Sequence, residues 1–333
     1  IVLGPGRHIL GPEKPIELKS GETLYLAPGA WVEGRVTANN ATNVSILGRG
    51  VLSQRLALPQ KNYQGYEDCP SGIVFGNCRN VRIEGIVQTR QHVNWNIIPI
   101  HCDGVIMRDV HVVAPVCVST DGFNPYNTRN VTVERCFFRV NDDNISPKGD
   151  YAMNPETAAL ALENITISNT VFWNGQGRAV SIGPEAGTKH IRNIKVQDCD
   201  VLWASGPDPF SIVPVCGVPV EDILYDNIRF EFVGAPNPLF RIGIYNGFGG
   251  IPGNLSSGPG YIRGVTIRNV TLMQPAAARS IAVEGFSADK LVEDVTIENL
   301  RYGDEVIRDA AAMGLKTNEW VRNLRIIATE GKK

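Results

Sequence analysis

The chain has 333 residues, of which 43% are hydrophobic and 20% charged, and a formal net charge of −2. It can bury a large core, and it lacks the cationic excess that a nucleic acid or an anionic membrane surface calls for, so neither is expected as a partner. No apolar run approaches the roughly 18 to 20 residues of a membrane-spanning helix, and 34 glycines with 21 prolines, roughly a sixth of the chain against an ordinary usage of about 12%, ask for many tight turns.

The chain opens Ile1-Val2-Leu3-Gly4 without an initiator Met or a signal pattern. This reads as a processed or trimmed start that carries no targeting information. From there a small polar residue followed by apolar-x-apolar recurs. In order the copies are Asn43-Val44-Ser45-Ile46, Asn80-Val81-Arg82-Ile83, Gly104-Val105-Ile106-Met107, Asn130-Val131-Thr132-Val133 and Asn164-Ile165-Thr166-Ile167. The series continues with Asn193-Ile194-Lys195-Val196, Asp222-Ile223-Leu224-Tyr225, Gly264-Val265-Thr266-Ile267, Asp294-Val295-Thr296-Ile297 and Asn323-Leu324-Arg325-Ile326. Nine intervals from Val44 to Leu324 span 280 residues, a mean near 31 with spacings from 24 to 42.

Such a period marks a stacked solenoid, and the short alternation after a turn residue is strand chemistry. Second and third β-like runs lie between copies, as in Trp95 to Ile100, Ala179 to Ile182 and Phe210 to Val213. The expectation is an all-β, single-stranded, right-handed parallel β-helix of about ten coils, with side chains stacked at roughly 4.8 Å. A β-propeller needs blades of about 40 to 50 residues and its own signature. One domain spans 1–333, with N-terminal capping coils over 1–50 and a C-terminal coil or cap over 303–333.

The long intervals predict loops at 53–72, 146–162 and 233–262, the last rich in Gly and Pro, and short helices at 156–163 and 306–316. The seven cysteines (Cys69, Cys78, Cys102, Cys117, Cys136, Cys199, Cys216) show no CxxC pair. They read mainly as small core residues, with one or two disulfides as the alternative. Sequons at Asn40, Asn43, Asn130, Asn164, Asn254 and Asn269 resemble glycosylation sites, but four of them begin a copy of the repeat or a similar short strand, which explains them better.

The densest polar chemistry is Ser119-Thr120-Asp121-Gly122-Phe123-Asn124, followed by Asn141-Asp142-Asp143-Asn144 and Lys148. Asp121 precedes Val131 by ten residues in its coil, and the next strand of that type falls at Asp142 and Asp143, so adjacent coils should bring the three carboxylates together. Like charges so close oppose each other's ionisation. An inverting glycosidase uses such a set, with one acid protonated at the leaving oxygen and a carboxylate holding water on the opposite face. The same residues can instead cap turns, or bind calcium as in a polysaccharide lyase.

The sequence resembles the polygalacturonase-like glycoside hydrolases of family 28 and their relatives in the dextranase and isopullulanase family 49. Leu18 to Ala30 is similar to their capping first coil, and Ser45 to Gly50 to their second. Trp95 to Pro99 resembles a Trp-x-Ile-His-Pro strand of the cleft, with Ile98 in place of His. Ser119-Thr120-Asp121-Gly122 with Asn141-Asp142-Asp143 resembles the family's Asn-Thr-Asp-Gly and Asp-Asp-Cys pair. That resemblance implies Asp142 as general acid and Asp121 with Asp143 positioning the water, and requires the strand to end or bulge at Asp142 and Asp143, which strict alternation would send to opposite faces. Gly177-Arg178-Ala179 stands where the family carries Gly-His-Gly, and Phe210 to Pro214 where it carries the Arg-Ile-Lys that holds a substrate carboxylate. A neutral sugar fits that loss, while Arg178, Lys148 and Arg241 are candidates for a rebuilt anion site.

Substrate-binding candidates are His92, Trp95, Asn124, Lys148, Arg178, Glu185 and Tyr245, with Tyr126 beside them; Trp95 and Tyr245 offer faces for sugars. The expected activity is inverting hydrolysis of a pectin-like or dextran-like glycan without metal or cofactor, by a protein read as monomeric. A polymeric substrate implies a secreted or periplasmic location. The alternatives are a calcium-dependent polysaccharide lyase and a non-catalytic carbohydrate-binding β-helix.

Overall fold

The computed structural model describes residues 1–11, 14–54, 60–61, 67–68, 71–90, 94–116, 119–150, 159–234, 238–274 and 280–328. At all ten copies of the repeat the leading Asn, Asp or Gly is left-handed, with φ from 51° at Asn193 and Asn323 to 80° at Gly104. Asn, Asp and Gly tolerate that region best. The residue that marks the repeat in sequence is thus the corner that turns each coil into its strand.

After the corner the alternation buries every second side chain. Val44, Val81, Val105, Val131, Ile165, Ile194, Ile223, Val265 and Val295 pair in one parallel ladder, and all are buried. A second face runs through Val32, Leu52, Gln88, Val112, Phe138, Phe172 and Val201. In early coils a left-handed Asp109, Arg135 or Asn169 separates the two faces. Later, the left-handed Asp198, Asn227 and Asn269 lie inside single long strands, Ile191–Ala204, Val220–Phe230 and Ile262–Leu272. This is the expected parallel β-helix.

The third face positions the site. Val36–Asn39, Ile73–Gly76 and Ile97–Ile100 pair in parallel, as do Val180–Ile182, Phe210–Ile212, Phe240–Gly243 and Ile281–Glu284. Between these groups, isolated parallel bridges carry the stack from Ile97 to Phe123, Ile145 and Val180. Regular strand is lost in the two coils that hold the acids, while the inward stack continues. Phe138, Phe172, Phe210 and Phe240 fill its centre with ring centroids 5.3 to 6.4 Å apart.

Five cysteines (Cys78, Cys102, Cys136, Cys199, Cys216) are free and buried, as core residues should be; Cys69 and Cys117 lie outside the described residues. The helix expected at 306–316 is one turn, Ala310–Met313, capped by Asp309 and ended by left-handed Gly314. The helix expected at 156–163 needs correction where it is described. Leu162–Ser168 is a strand pairing with Arg129–Glu134 and Ile191–Ala204, so sheet register overrides local helix propensity. Most of the 53–72 loop also lies outside the described residues.

Candidate active site

The strand Phe137–Val140 ends before Asp142, as the carboxylate cluster requires. Gly122 and Gly177 permit the crowding that follows. A Cβ on Gly177 would overlap Asp142, and one on Gly122 would overlap the Asn144 carbonyl and the Phe138 ring. The bridges Phe123 to Ile145, Ile145 to Val180 and the pairing of Val180 with Phe210 set Asp121, Asp143, Arg178 and Asp208 in equivalent positions on successive coils, each two residues before an inward apolar side chain.

Asp121 is buried, and its Oδ2 accepts from Asn124 Nδ2 and Lys148 Nζ, each at 2.9 Å. Lys148 lies 3.6 Å from Glu185 and 4.1 Å above the centre of the Trp95 ring. Asp142 Oδ2 accepts from the Ser119 amide at 2.6 Å. Asp143 Oδ1 accepts from the Arg178 amide at 2.9 Å, with the Arg178 guanidinium 3.8 Å away. Burial pushes the Asp121 carboxyl up to about 8, against the pull of Lys148 and with a further push from Asp142 and Asp143. Burial and Asp143 raise Asp142 as well, while the Ser119 amide opposes them. Burial would lower Lys148, but Asp121, Glu185 and Asp143 outweigh it and hold the ammonium charged.

Of the substrate-binding candidates, Asn124, Lys148 and Arg178 join the acids directly, and Trp95 and Glu185 reach them through Lys148. Tyr245 stands farther along, donating to Glu284 at 2.6 Å beside Arg241 and 5.5 Å from the Phe248 ring. Tyr126 approaches Asp150 at 3.4 Å. His92 lies outside the described residues. Arg178, Lys148 and Arg241 do not form the open anion site that their charges suggested, because carboxylates of the chain already flank each one.

Sequence reading missed Asp208 and Glu284. Asp208 is fully buried between Arg178 Nε at 3.6 Å and Arg241 Nε at 2.9 Å. Its signal was present, since it precedes Phe210 by two residues as Asp121 precedes Phe123. Phe248, from the Gly-rich loop, lies 5.0 Å from the Arg178 guanidinium and walls the groove there. One oxygen of each of the three aspartates accepts a hydrogen bond from the protein, and carboxyl groups held this close can share and transfer a proton.

The sequence pattern of Glycosyl hydrolases family 28 matches residues 27–305. An endo-polygalacturonase of Pectobacterium carotovorum subsp. carotovorum is 25% identical over 224 residues, covering 62% of this chain and 53% of that protein. A probable polygalacturonase of Vitis vinifera is 21% identical over 106 residues, or 32% of this chain and 21% of that one. The chain thus spans about half or less of the length of these curated relatives. Among solved structures, the exopolygalacturonase of Thermotoga maritima has a TM-score of 0.68 at 18% identity, with 92% of this chain and 84% of that one covered. The family 28 exopolygalacturonase of Yersinia enterocolitica has 0.61 at 14% identity, with 100% and 73% covered. These likenesses concern the fold.

Proposed function

Since the chain belongs to glycosyl hydrolases family 28, we propose that it hydrolyses glycosidic bonds of a poly- or oligosaccharide with inversion, Asp142 acting as general acid. The carrying observation is the trio of carboxylates on adjacent coils, two of them pushed up by burial. A coupled set of this kind retains a proton near neutral pH. Asp121 and Asp142 are both pushed up, Asp121 to about 8 even with Lys148 beside it. The proposal assigns the retained proton to Asp142, because Lys148 donates directly to Asp121 at 2.9 Å, whereas Asp142 accepts from the Ser119 amide and feels Lys148 and Arg178 less directly. Protonated Asp142 then donates to the leaving oxygen, and Asp121 and Asp143 orient the attacking water.

Asp142→Asn should lower kcat on a cleaved glycan by roughly 10²- to 10⁴-fold, the usual worth of a positioned general acid, with an unchanged thermal melt. Near-full activity in that variant would sink the assignment. Proton NMR of the first product resolves its anomeric configuration; retention would refute inversion. A polymeric substrate places the enzyme where such polymers occur, secreted or periplasmic.

A further inference from the structure

We propose that the sugar seated beside Arg178, Asp208, Arg241 and Glu284 is a neutral pyranose recognised through its hydroxyl hydrogens, and that the site discriminates against a uronate. The inference rests on the hydrolase reading and concerns which sugar that groove accepts. Each of these described cations stands between two carboxylates of the chain. Lys148 lies 2.9 Å from Asp121 and 3.6 Å from Glu185; Arg178 lies 3.8 Å from Asp143 and 3.6 Å from Asp208. Arg241 lies 2.9 Å from Asp208 and 3.9 Å from Glu284. With Asp142 added, six carboxylates face three cations, a formal −3 with all ionised and −2 with one retained proton.

Unused hydrogen-bonding capacity points the same way. Asp208 Oδ2 and Glu185 Oε2 are buried and accept no hydrogen bond. An ionised carboxylate can only accept, so these positions call for a donor. Arg178 Nε also lacks a hydrogen-bond partner, 3.6 Å from Asp208 Oδ2. A hydroxyl can accept from the guanidinium and donate to the aspartate at once. A uronate carboxylate can do only the first, and brings a further negative charge to a groove already short of cations. A guanidinium fork suits a ligand carboxylate when it is free to turn toward it. Here Arg241 donates to Asp208 at 2.9 Å with Glu284 3.9 Å away, and Asp143 and Asp208 flank Arg178 at 3.8 and 3.6 Å, so an incoming carboxylate meets guanidinium groups already faced by carboxylates.

The test compares one polymer in two charge states: de-esterified α-1,4-polygalacturonate, and the same polymer with every carboxyl reduced to hydroxymethyl. Reducing-end release by the wild type should give a kcat/KM at least tenfold higher on the reduced polymer. Glu284→Gln, and independently Asp208→Asn, should narrow that ratio by freeing a guanidinium. Equal or faster cleavage of the polyuronate by wild type overturns the proposal, as does a ratio unmoved in both folded variants. Affinity electrophoresis of Asp142→Asn in gels cast with each polymer reads the selection without turnover. Retardation by the neutral polymer alone supports it, and retardation by the polyuronate alone overturns it. Neutral-selective binding by a wild type that releases no reducing ends would fail the hydrolase reading and leave the charge selection standing.

Discussion

Lys148 sets how the acid cluster titrates. It is buried, donates to Asp121 at 2.9 Å and lies over the Trp95 ring, so it cannot swing away without exposing both. Burial and the two neighbouring aspartates favour protonated Asp121, and Lys148 is the main force pulling the other way. Asp121 must be ionised to hold a water for attack. Replacing Lys148 by Met removes the cation and leaves Asp121 protonated to higher pH. The ascending limb of the kcat/KM profile should therefore move upward by about one pH unit or more, the size of effect an opposite charge within 4–6 Å exerts. The descending limb, which reports loss of the Asp142 proton, should move the same way by less, because Lys148 ranks lower among the influences on that group. An ascending limb that stays in place would show that Asp121 does not need to ionise.

At the scale of the coil, the left-handed corner is the element that the sequence displays most openly. Asn164 has φ 57°; its Nδ2 donates to Asn130 Oδ1 at 3.0 Å, and its Oδ1 accepts from Asn193 at 2.8 Å. That ladder engages the amides of three coils and accounts for the sequons at Asn130 and Asn164 as structural features. Asn164→Ala should cost about 1–3 kcal/mol, combining a left-handed residue with a Cβ and a partly exposed ladder bond. Asn164→Gly should cost less, since the chain itself places Gly104 and Gly264 at equivalent corners. Denaturant melts of the two variants check the order, and a larger loss in the glycine variant would contradict the backbone account. Corners and alternating strands were legible because local chemistry alone forces them. The groove was only half legible. Asp121, Asp142 and Asp143 stood out as a motif, but the pairing of Arg178 with Asp208 and of Arg241 with Glu284 depends on coil-to-coil register. The spacing of the copies varies from 24 to 42 residues, so that register cannot be counted along the chain.

On the scale of the whole molecule, each coil packs mainly on its two neighbours, so the position of a defect in the stack decides what it disrupts. Phe138 sits near the middle, stacked 6.1 Å from Phe172 on the strand that leads to Asp142 and against Gly122, one residue after Asp121. Met313 is equally buried, but it belongs to the single helical turn near the C-terminal end of the described stack. Phe138→Ala should cost about 3–5 kcal/mol and Met313→Ala about 2–5 kcal/mol, yet their consequences should differ in kind. A cavity at Phe138 loosens the coils that hold the acids, so activity should fall with stability, and amide exchange should quicken on both sides of the site. A cavity at Met313 loosens only the terminal coils, an opening of local rather than global extent. Hydrogen exchange in Met313→Ala should therefore quicken within about 292–327, the coils that pack next to the helix, with kcat unchanged. If Met313→Ala instead quickened exchange around Asp121 and Asp142 as strongly as Phe138→Ala does, the stack would be unfolding as one cooperative unit and the nearest-neighbour account would fail.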